Sequence, residues 1–369
     1  MGQPGKEQEH DEAGAHQDHR RHRTLAPFER VDGLTVDNVI SSDVTVALAR
    51  VGGNAAYSGV GALCWAETVG LVSVAVATYP AATLATLRAN GIMLDGVVSV
   101  DVALESCNWF IYDAQGERHE RLRSAPRELA EAGFSTERMT REEVAHWQEI
   151  LRQRERPGEL SYSEFCDTYP LVPEQVPASY LEARGVHLAP CRPVVLRGML
   201  PLFNARGMVV TLDAGWQLAE LTLDELVPFL TQVDAFLPSE VELRAILPGM
   251  GLESALALLA AHCRGGVAVK LGGKGSLVWD RQTGRAVAVP ILPTRAIDPT
   301  GAGDSFCGGF LAGLVETADL VQAACFGTAS ASLVVSRFGA DGALPIDRVA
   351  CRQKLGSLRA TLSRTVPAA

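Results

Sequence analysis

The chain has 369 residues, long enough for one large α/β domain with an added lid or for two modest domains. Hydrophobic residues make up 47% and charged residues 21%, so a substantial packed core is expected. A formal charge of -10 argues against a nucleic-acid partner, whose backbone needs clustered Lys and Arg, yet still allows a small anion held by backbone N–H groups.

In chain order, residues 1–24 are polar and poor in aromatics, which predicts a disordered tail. His10, His16, His19 and His22 lie there without Cys or ordered acidic ligands, so no working metal site is expected of them. The N-terminus has no apolar run of a signal peptide. The eight cysteines stand singly, as reduced thiols do, and the expected location is cytoplasmic.

The main domain is expected over 25–350, with a C-terminal helix or tail over 351–369. Short strand-like runs (VDGLTVDNVI, TVALARVGGN, VGLVSVAVA) alternate with Gly-rich turns, and a helix is predicted over Ala55–Glu67. SCNWFIYD, the turn AQGE and RHERLR read as a hairpin. Strands outside the βα rhythm suggest a small sheet forming a lid, drawn from about 33–51 and 98–123. The charged, Pro-bearing stretch 126–182 reads as an insertion with a surface helix near Arg141–Gln153.

From Gly185 onward VHLAP, MVVTLDA, DAFLP and VAVKLGG alternate with helical patterns near Val194–Asn204, Leu223–Thr231 and Ser254–Cys263. That rhythm implies a mainly parallel sheet with helices on both faces, a three-layer α/β/α domain. Phe306–Val335 is Gly- and Ala-rich and broken by Glu316 and Asp319, so it reads as two core helices and not a membrane span.

The richest stretch is AIDPTGAGDSFCGGFLAGL, Ala296–Leu314. Pro299, Gly301 and Gly303 force a tight turn, and a helix begins around Asp304. A helix start with small residues before it presents unpartnered N–H groups and a positive dipole end to an anion such as a terminal phosphate. Phosphoryl transfer needs such donors and an acceptor for the proton of the attacking hydroxyl, a role open to Asp304. Alone, GAGD reads equally well as an ordinary turn before an acidic helix start.

The longer run resembles the C-terminal signature DTxGAGD of the ribokinase-like (PfkB) kinases, through Asp298, Thr300, Gly301, Ala302, Gly303 and Asp304. The resemblance implies a ribokinase-like fold and transfer of the γ-phosphate of ATP to a hydroxyl of a small sugar or nucleoside. Asp304 would be the base, Gly301, Ala302 and Gly303 the anion hole, and Thr300 a nucleotide contact. Toward the N-terminus it implies acceptor contacts by Asp37, Gly52, Gly53 and Asn54. Tyr57 stands where relatives usually carry Asn, which argues against copying ribose specificity. The family's N-x-x-E motif becomes Ser239 to Glu242 here, with Glu242 helping to organise Mg2+ through water. VKLGGKGSLVW is similar to the nucleotide loop, with Gly272, Lys274 and Gly275 near the phosphates. VVSRFGADGALP is similar to a closing loop in which Asp298 and the carbonyls of Val334, Arg337 and Gly339 would hold a monovalent cation such as K+, although Ala343 replaces a Ser of some relatives. Homodimers through the lid are an assembly that relatives adopt.

The chain lacks the motifs of P-loop NTPases, Rossmann oxidoreductases, zincins and GxSxG hydrolases. The rival reading is a catalytically idle ribokinase-like protein that binds a small molecule and regulates a partner; Ser239 and Tyr57 speak for it, the intact Asp304 turn against it.

Overall fold

The computed structural model describes residues 25–28, 33–77, 79–102, 107–116, 118–120, 126–152, 162–280 and 284–365. The tail 1–24 with its four histidines, Arg121 and Arg123 of the lid range, 153–161 of the insertion and the last four residues lie outside the described residues.

The N-terminal half runs β1 (Leu25–Phe28), β2 (Thr35–Ile40), β3 (Val46–Gly52), α1 (Asn54–Leu63), β4 (Val69–Val76), α2 (Ala81–Ala89), β5 (Ile92–Val100), β6 (Cys107–Tyr112) and β7 (Arg118–Glu120). Three helices follow, α3 (Pro126–Glu131), α4 (Arg141–Arg152) and α5 (Tyr162–Thr168). Alternation then brings β8 (Gly185–Leu188), α6 (Pro193–Asn204), β9 (Val209–Leu212), α7 (Gly215–Ala219), α8 (Leu223–Leu230), β10 (Ala235–Phe236), α9 (Glu240–Ile246), α10 (Leu252–Ala260) and β11 (Gly266–Lys270). A hairpin of β12 (Ser276–Asp280) and β13 (Arg285–Val289) leads to α11 (Ala302–Thr317), α12 (Leu320–Val334) and α13 (Arg348–Thr365).

The main sheet has nine strands in the order β13-β12-β11-β10-β9-β8-β1-β4-β5. It is parallel from β11 to β5 and antiparallel only at the β11–β12–β13 edge. β4 is buried at every position (VGLVSVAV), as a strand covered on both faces must be. α1, α11 and α12 lie against one another and against the sheet, and α13 closes over α12 through Leu355, Leu358 and Leu362. This is the α/β arrangement with a mainly parallel sheet expected from the βα rhythm.

Two findings depart from the sequence reading. β1 pairs with both β4 and β8 at the centre of the sheet although it holds Pro27, which sits opposite His187. A four-residue run with a proline gives no central-strand signal, because proline lacks a ladder donor. Residues 98–100, expected in the lid, continue β5 in the main sheet, where Val100 pairs with Val76.

The lid is a separate four-stranded sheet, ordered β3-β2-β6-β7. Its outer face is covered by the chain itself. Ile40, Val46, Trp109 and Ile111 of the lid bury against Leu129, Phe134, Met139, Val144 and Trp147 from α3, α4 and the segment joining them. Trp147 meets Trp109 edge-on at 6.2 Å and Phe134 at 5.2 Å. The 126–152 part of the insertion, read from sequence as surface structure, is thus the lid's backing, while Phe165 and Cys166 of α5 join the main core.

Candidate active site

Gly301 caps α11 in the left-handed conformation (φ 71) with no side-chain hydrogen bond at the helix start. A side chain there would also strike the ring of Tyr57, so both backbone and space demand glycine. Tyr57 lies on α1, directly after the Gly52–Gly53 turn and Asn54, and its ring reaches the anion turn from the lid side. Its hydroxyl donates to Oδ2 of Asp37 at 3.2 Å.

Asp37 on β2 is 1% exposed. Thr35 Oγ1 donates to its Oδ1 at 3.0 Å, and Gly52 on the adjacent strand leaves room for the carboxylate where any Cβ would collide with it. Burial, reinforced by the charge of Asp298, pushes Asp37 up to about 7 against the pull of hydrogen bonds from Thr35, Tyr57 and Asn108. Tyr112 of β6 hydrogen-bonds Thr300 of the anion turn at 2.7 Å, and Tyr79 OH donates to the Thr35 carbonyl at 3.2 Å. The lid is therefore closed onto the turn.

On the other side of the turn lies a cavity of ≈ 560 Å³. Gly272, Gly273 and Gly275 at the β11–β12 corner, Pro299, Ala302 and Gly303 at the head of α11, and Thr328, Ala331 and Ser332 of α12 line it, with Gln115 and Gly116 from the lid turn. Its size is that of a small-molecule site. Lys270, at the end of β11, also lines it.

The residues expected from sequence divide between these halves. Gly301–Asp304 form the first turn of α11, with Asp304 half-buried beside the Gly303 wall. Thr300 is buried and turned to Tyr112 rather than lining the cavity. Lys274 is 78% exposed, 3.9 Å from Glu240, and does not line the cavity. Ser239, in the place of the family's Asn, caps α9: its Oγ accepts from Glu242 N at 3.3 Å, and Glu242 Oε2 accepts from Ser239 N at 2.6 Å.

Asp298 is buried, its Oδ1 accepting from Thr300 N at 2.9 Å and its Oδ2 from Gly339 N at 3.1 Å. Burial raises its pKa and these bonds oppose the rise. The Val334 carbonyl accepts from Arg337 N at 3.0 Å, while the next carbonyl, Val335, takes Ile297 N and Asp298 N. The same loop grips the lid: Arg50 Nη2 lies 2.6 Å from Asp341 Oδ2, and Val51 N donates to Asp341 Oδ1 at 3.1 Å. Arg50 of β3 is thus held by Asp341.

Sequence reasoning missed Asp213 and Lys270. Asp213 directly follows β9 and Lys270 ends β11, and their ion pair is 2.5 Å long, with side chains 4% and 13% exposed. A signal was present, since each is a charged residue closing an apolar strand, and ligands of open α/β sheets sit at the carboxyl ends of strands. Burial opposes a charge on Lys270, but Asp213, Cys307 and Glu242 together outweigh it and keep the ammonium protonated. Burial pushes Asp213 up to about 6 while Lys270 pulls the other way.

The family model for pfkB family carbohydrate kinases matches residues 169–347, the span that carries the α11 turn, the glycine corner and the closing loop. That span, just under half of the chain, is similar to the PfkB carbohydrate kinases. The chain is 32% identical over 168 residues to a cytidine kinase of Thermococcus kodakarensis, covering 44% of the chain and 59% of the relative. It is 26% identical over 256 residues to a 5-dehydro-2-deoxygluconokinase of Shouchella clausii, covering 64% and 77%. The chain thus spans less than two thirds of the cytidine kinase's length. Among solved structures, an Arabidopsis thaliana ribokinase complexed with ribose and ATP superposes with a TM-score of 0.61 at 19% identity, over 90% of this chain and 98% of that one. No helix among the described residues is long and apolar enough to cross a membrane.

Proposed function

We propose that this chain is an ATP-dependent kinase that phosphorylates a hydroxyl of a small sugar or nucleoside. One observation carries the reading: the head of α11 stands between a buried carboxylate and a cavity of nucleotide size. Gly301 meets Tyr57, which binds Asp37, on one side, and Gly303 walls the ≈ 560 Å³ cavity on the other. The relatives' names, cytidine kinase and 5-dehydro-2-deoxygluconokinase among them, support the same class of acceptor.

The cavity fits an adenine nucleotide in volume, with glycine corners that let backbone approach its phosphates. The charges of Glu242 and Asp304 reach Asp213, whose own charge Lys270 answers, so Glu242 and Asp304 carry the surplus of negative charge that fits a divalent cation. Mg2+ there would offset charge on the phosphates. Glu242 would orient its water shell, with one oxygen fixed by the Ser239 cap.

In the reaction, Asp37 accepts hydroxyl hydrogens of the acceptor and so fixes its orientation. Asp304 takes the proton of the attacking hydroxyl. The N–H groups of Gly301, Ala302 and Gly303 stabilise charge on the transferring group as the acceptor O–P bond forms and the bond to the leaving ADP breaks. The closed lid, held by Tyr112–Thr300 and Arg50–Asp341, excludes water from that step. Asp298 and the carbonyls of Val334, Arg337 and Gly339 are assigned to a K+ that would steady the turn.

A second reading, the idle ligand-binding regulator, draws on the Tyr57–Asp37 bond, which already occupies the acceptor carboxylate. ADP release from Mg·ATP, with and without K+, across pentoses, hexoses, their monophosphates and nucleosides decides between the two. Acceptor-dependent release that vanishes in Asp304→Asn is expected. Acceptor binding without release in any arm would favour the regulator.

A further inference from the structure

Lys270 is a cation in a place where the fold does not need one. A buried ion pair recovers its desolvation only in part, and an apolar pair of similar shape is often at least as stable. The pair nevertheless stands at the wall of the nucleotide cavity. Lys270 Nζ lies 2.5 Å from Asp213 Oδ2 and 3.5 Å from Cys307 Sγ, on the inner face of α11. Its Nζ is also 3.8 Å from where a Cβ on Gly303 would stand, at the head of the same helix. An ammonium has three N–H donors. Asp213 and Cys307 take two, and among the described residues nothing takes the third.

The same cluster has the look of a metal centre, since His187, Asp213 and Cys307 could bring three ligand atoms within 4.8 Å of one another, and the buried Nε2 of His187 has no hydrogen-bond partner among the described residues. The ammonium argues against that use. It already holds both acidic members, Asp213 and Cys307, and a metal would have to expel it and ionise a thiol whose pKa burial pushes well up. The resident cation of this cluster is Lys270.

We propose that Lys270 is a catalytic residue of the nucleotide half: its ammonium, anchored by Asp213, directs its remaining N–H to the phosphoryl group held at the Gly301–Gly303 turn. Lys270 keeps its proton throughout; it offsets charge on the phosphoryl oxygens and takes no part in bond making. The inference rests on the phosphoryl-transfer reading above.

The test is titration calorimetry of the full chain with Mg·ATP, Mg·tripolyphosphate and adenosine, beside ADP release. Wild type is compared with Lys270→Met, Lys270→Arg and the double variant Lys270→Met/Asp213→Asn, which leaves no orphaned buried charge should the single variant fail to fold. A hydrogen bond to a charged group predicts that Lys270→Met weakens Mg·ATP and Mg·tripolyphosphate roughly 10- to 100-fold, with adenosine unchanged and Lys270→Arg partly restored. A folded double variant that keeps the wild-type ratio of ATP to adenosine affinity overturns the proposal, as does a wild type that binds neither polyphosphate. Unchanged ratios with ADP release intact sink Lys270 alone. Tripolyphosphate binding that depends on Lys270, without ADP release from any acceptor, sinks the kinase reading alone.

Discussion

The two halves of the cleft each bury a carboxylate, and they treat it differently. Asp37, carried by the lid, is answered by neutral groups, the hydroxyls of Thr35 and Tyr57 and the amide of Asn108. Asp213, carried by the main sheet, is answered by an ammonium. Burial pushes both up, Asp37 to about 7 and Asp213 to about 6, and the Lys270 ammonium opposes the rise at Asp213. The acceptor half is therefore the one that takes its proton at the higher pH.

The hardest way to break that division is at the turn between the halves. Asp304→Asn should lower turnover about 10²- to 10⁴-fold, the usual share of a general base, with Mg·ATP and acceptor affinities little changed. Steady-state ADP release and calorimetry read the two parts separately, and a variant of near-normal turnover would remove Asp304 from the mechanism.

The lid can be loosened by itself. Trp147→Ala empties the backing of Trp109 and should destabilise the lid by about 3–5 kcal/mol, in the range for large aromatic truncations. Hydrogen exchange should then rise in β2, β3 and β6 and acceptor affinity fall, while the protection of β9 and β11 holds. Equal loss in both sheets would mean that the halves are one cooperative unit.

Titration sharpens the contrast. The folded Asp37 holds its proton up to about 7, above its ordinary 3.8, so between these values the folded state binds more protons than the unfolded one. Its contribution therefore favours the fold as pH falls through that window and is lost as pH rises. Asp298, Tyr57, Tyr79 and Tyr112 face or surround it, and of these only Asp298 adds negative charge there. Asp37→Asn should flatten the melting temperature against pH between about 4 and 7. In the wild type the acceptor KM should climb as pH drops below about 7, approaching tenfold per unit, because the protonated carboxyl accepts fewer hydroxyls. A KM flat with pH would show that Asp37 does not contact the acceptor.

The smallest effect expected is that of Tyr57→Phe. It removes one hydrogen bond to Asp37, costs about 1 kcal/mol in unfolding titrations and keeps the ring over Gly301. It should also move the acidic limb of the acceptor KM to higher pH, since one stabiliser of the carboxylate is gone.

Much of this was legible in one dimension. The βα rhythm gave the parallel sheet, because strand and helix periods are local, and the turn at Pro299–Gly303 could be read because its parts are contiguous. Asp213 and Lys270, 57 residues apart, could not be paired from spacing, since only sheet order brings the ends of β9 and β11 beside one another. Tyr57 was visible as an oddity, but its bond to Asp37 depends on how α1 enters from the lid. β1 hid behind Pro27. Lys274 drew attention by its glycine neighbours, and the corner turns it outward.

The helices behind the lid also bear on how the protein behaves as a population. One face of the lid sheet is covered within the chain by α3, α4 and the segment joining them. A lid backed by its own chain predicts a specific activity that stays constant as the enzyme is diluted from micromolar to nanomolar.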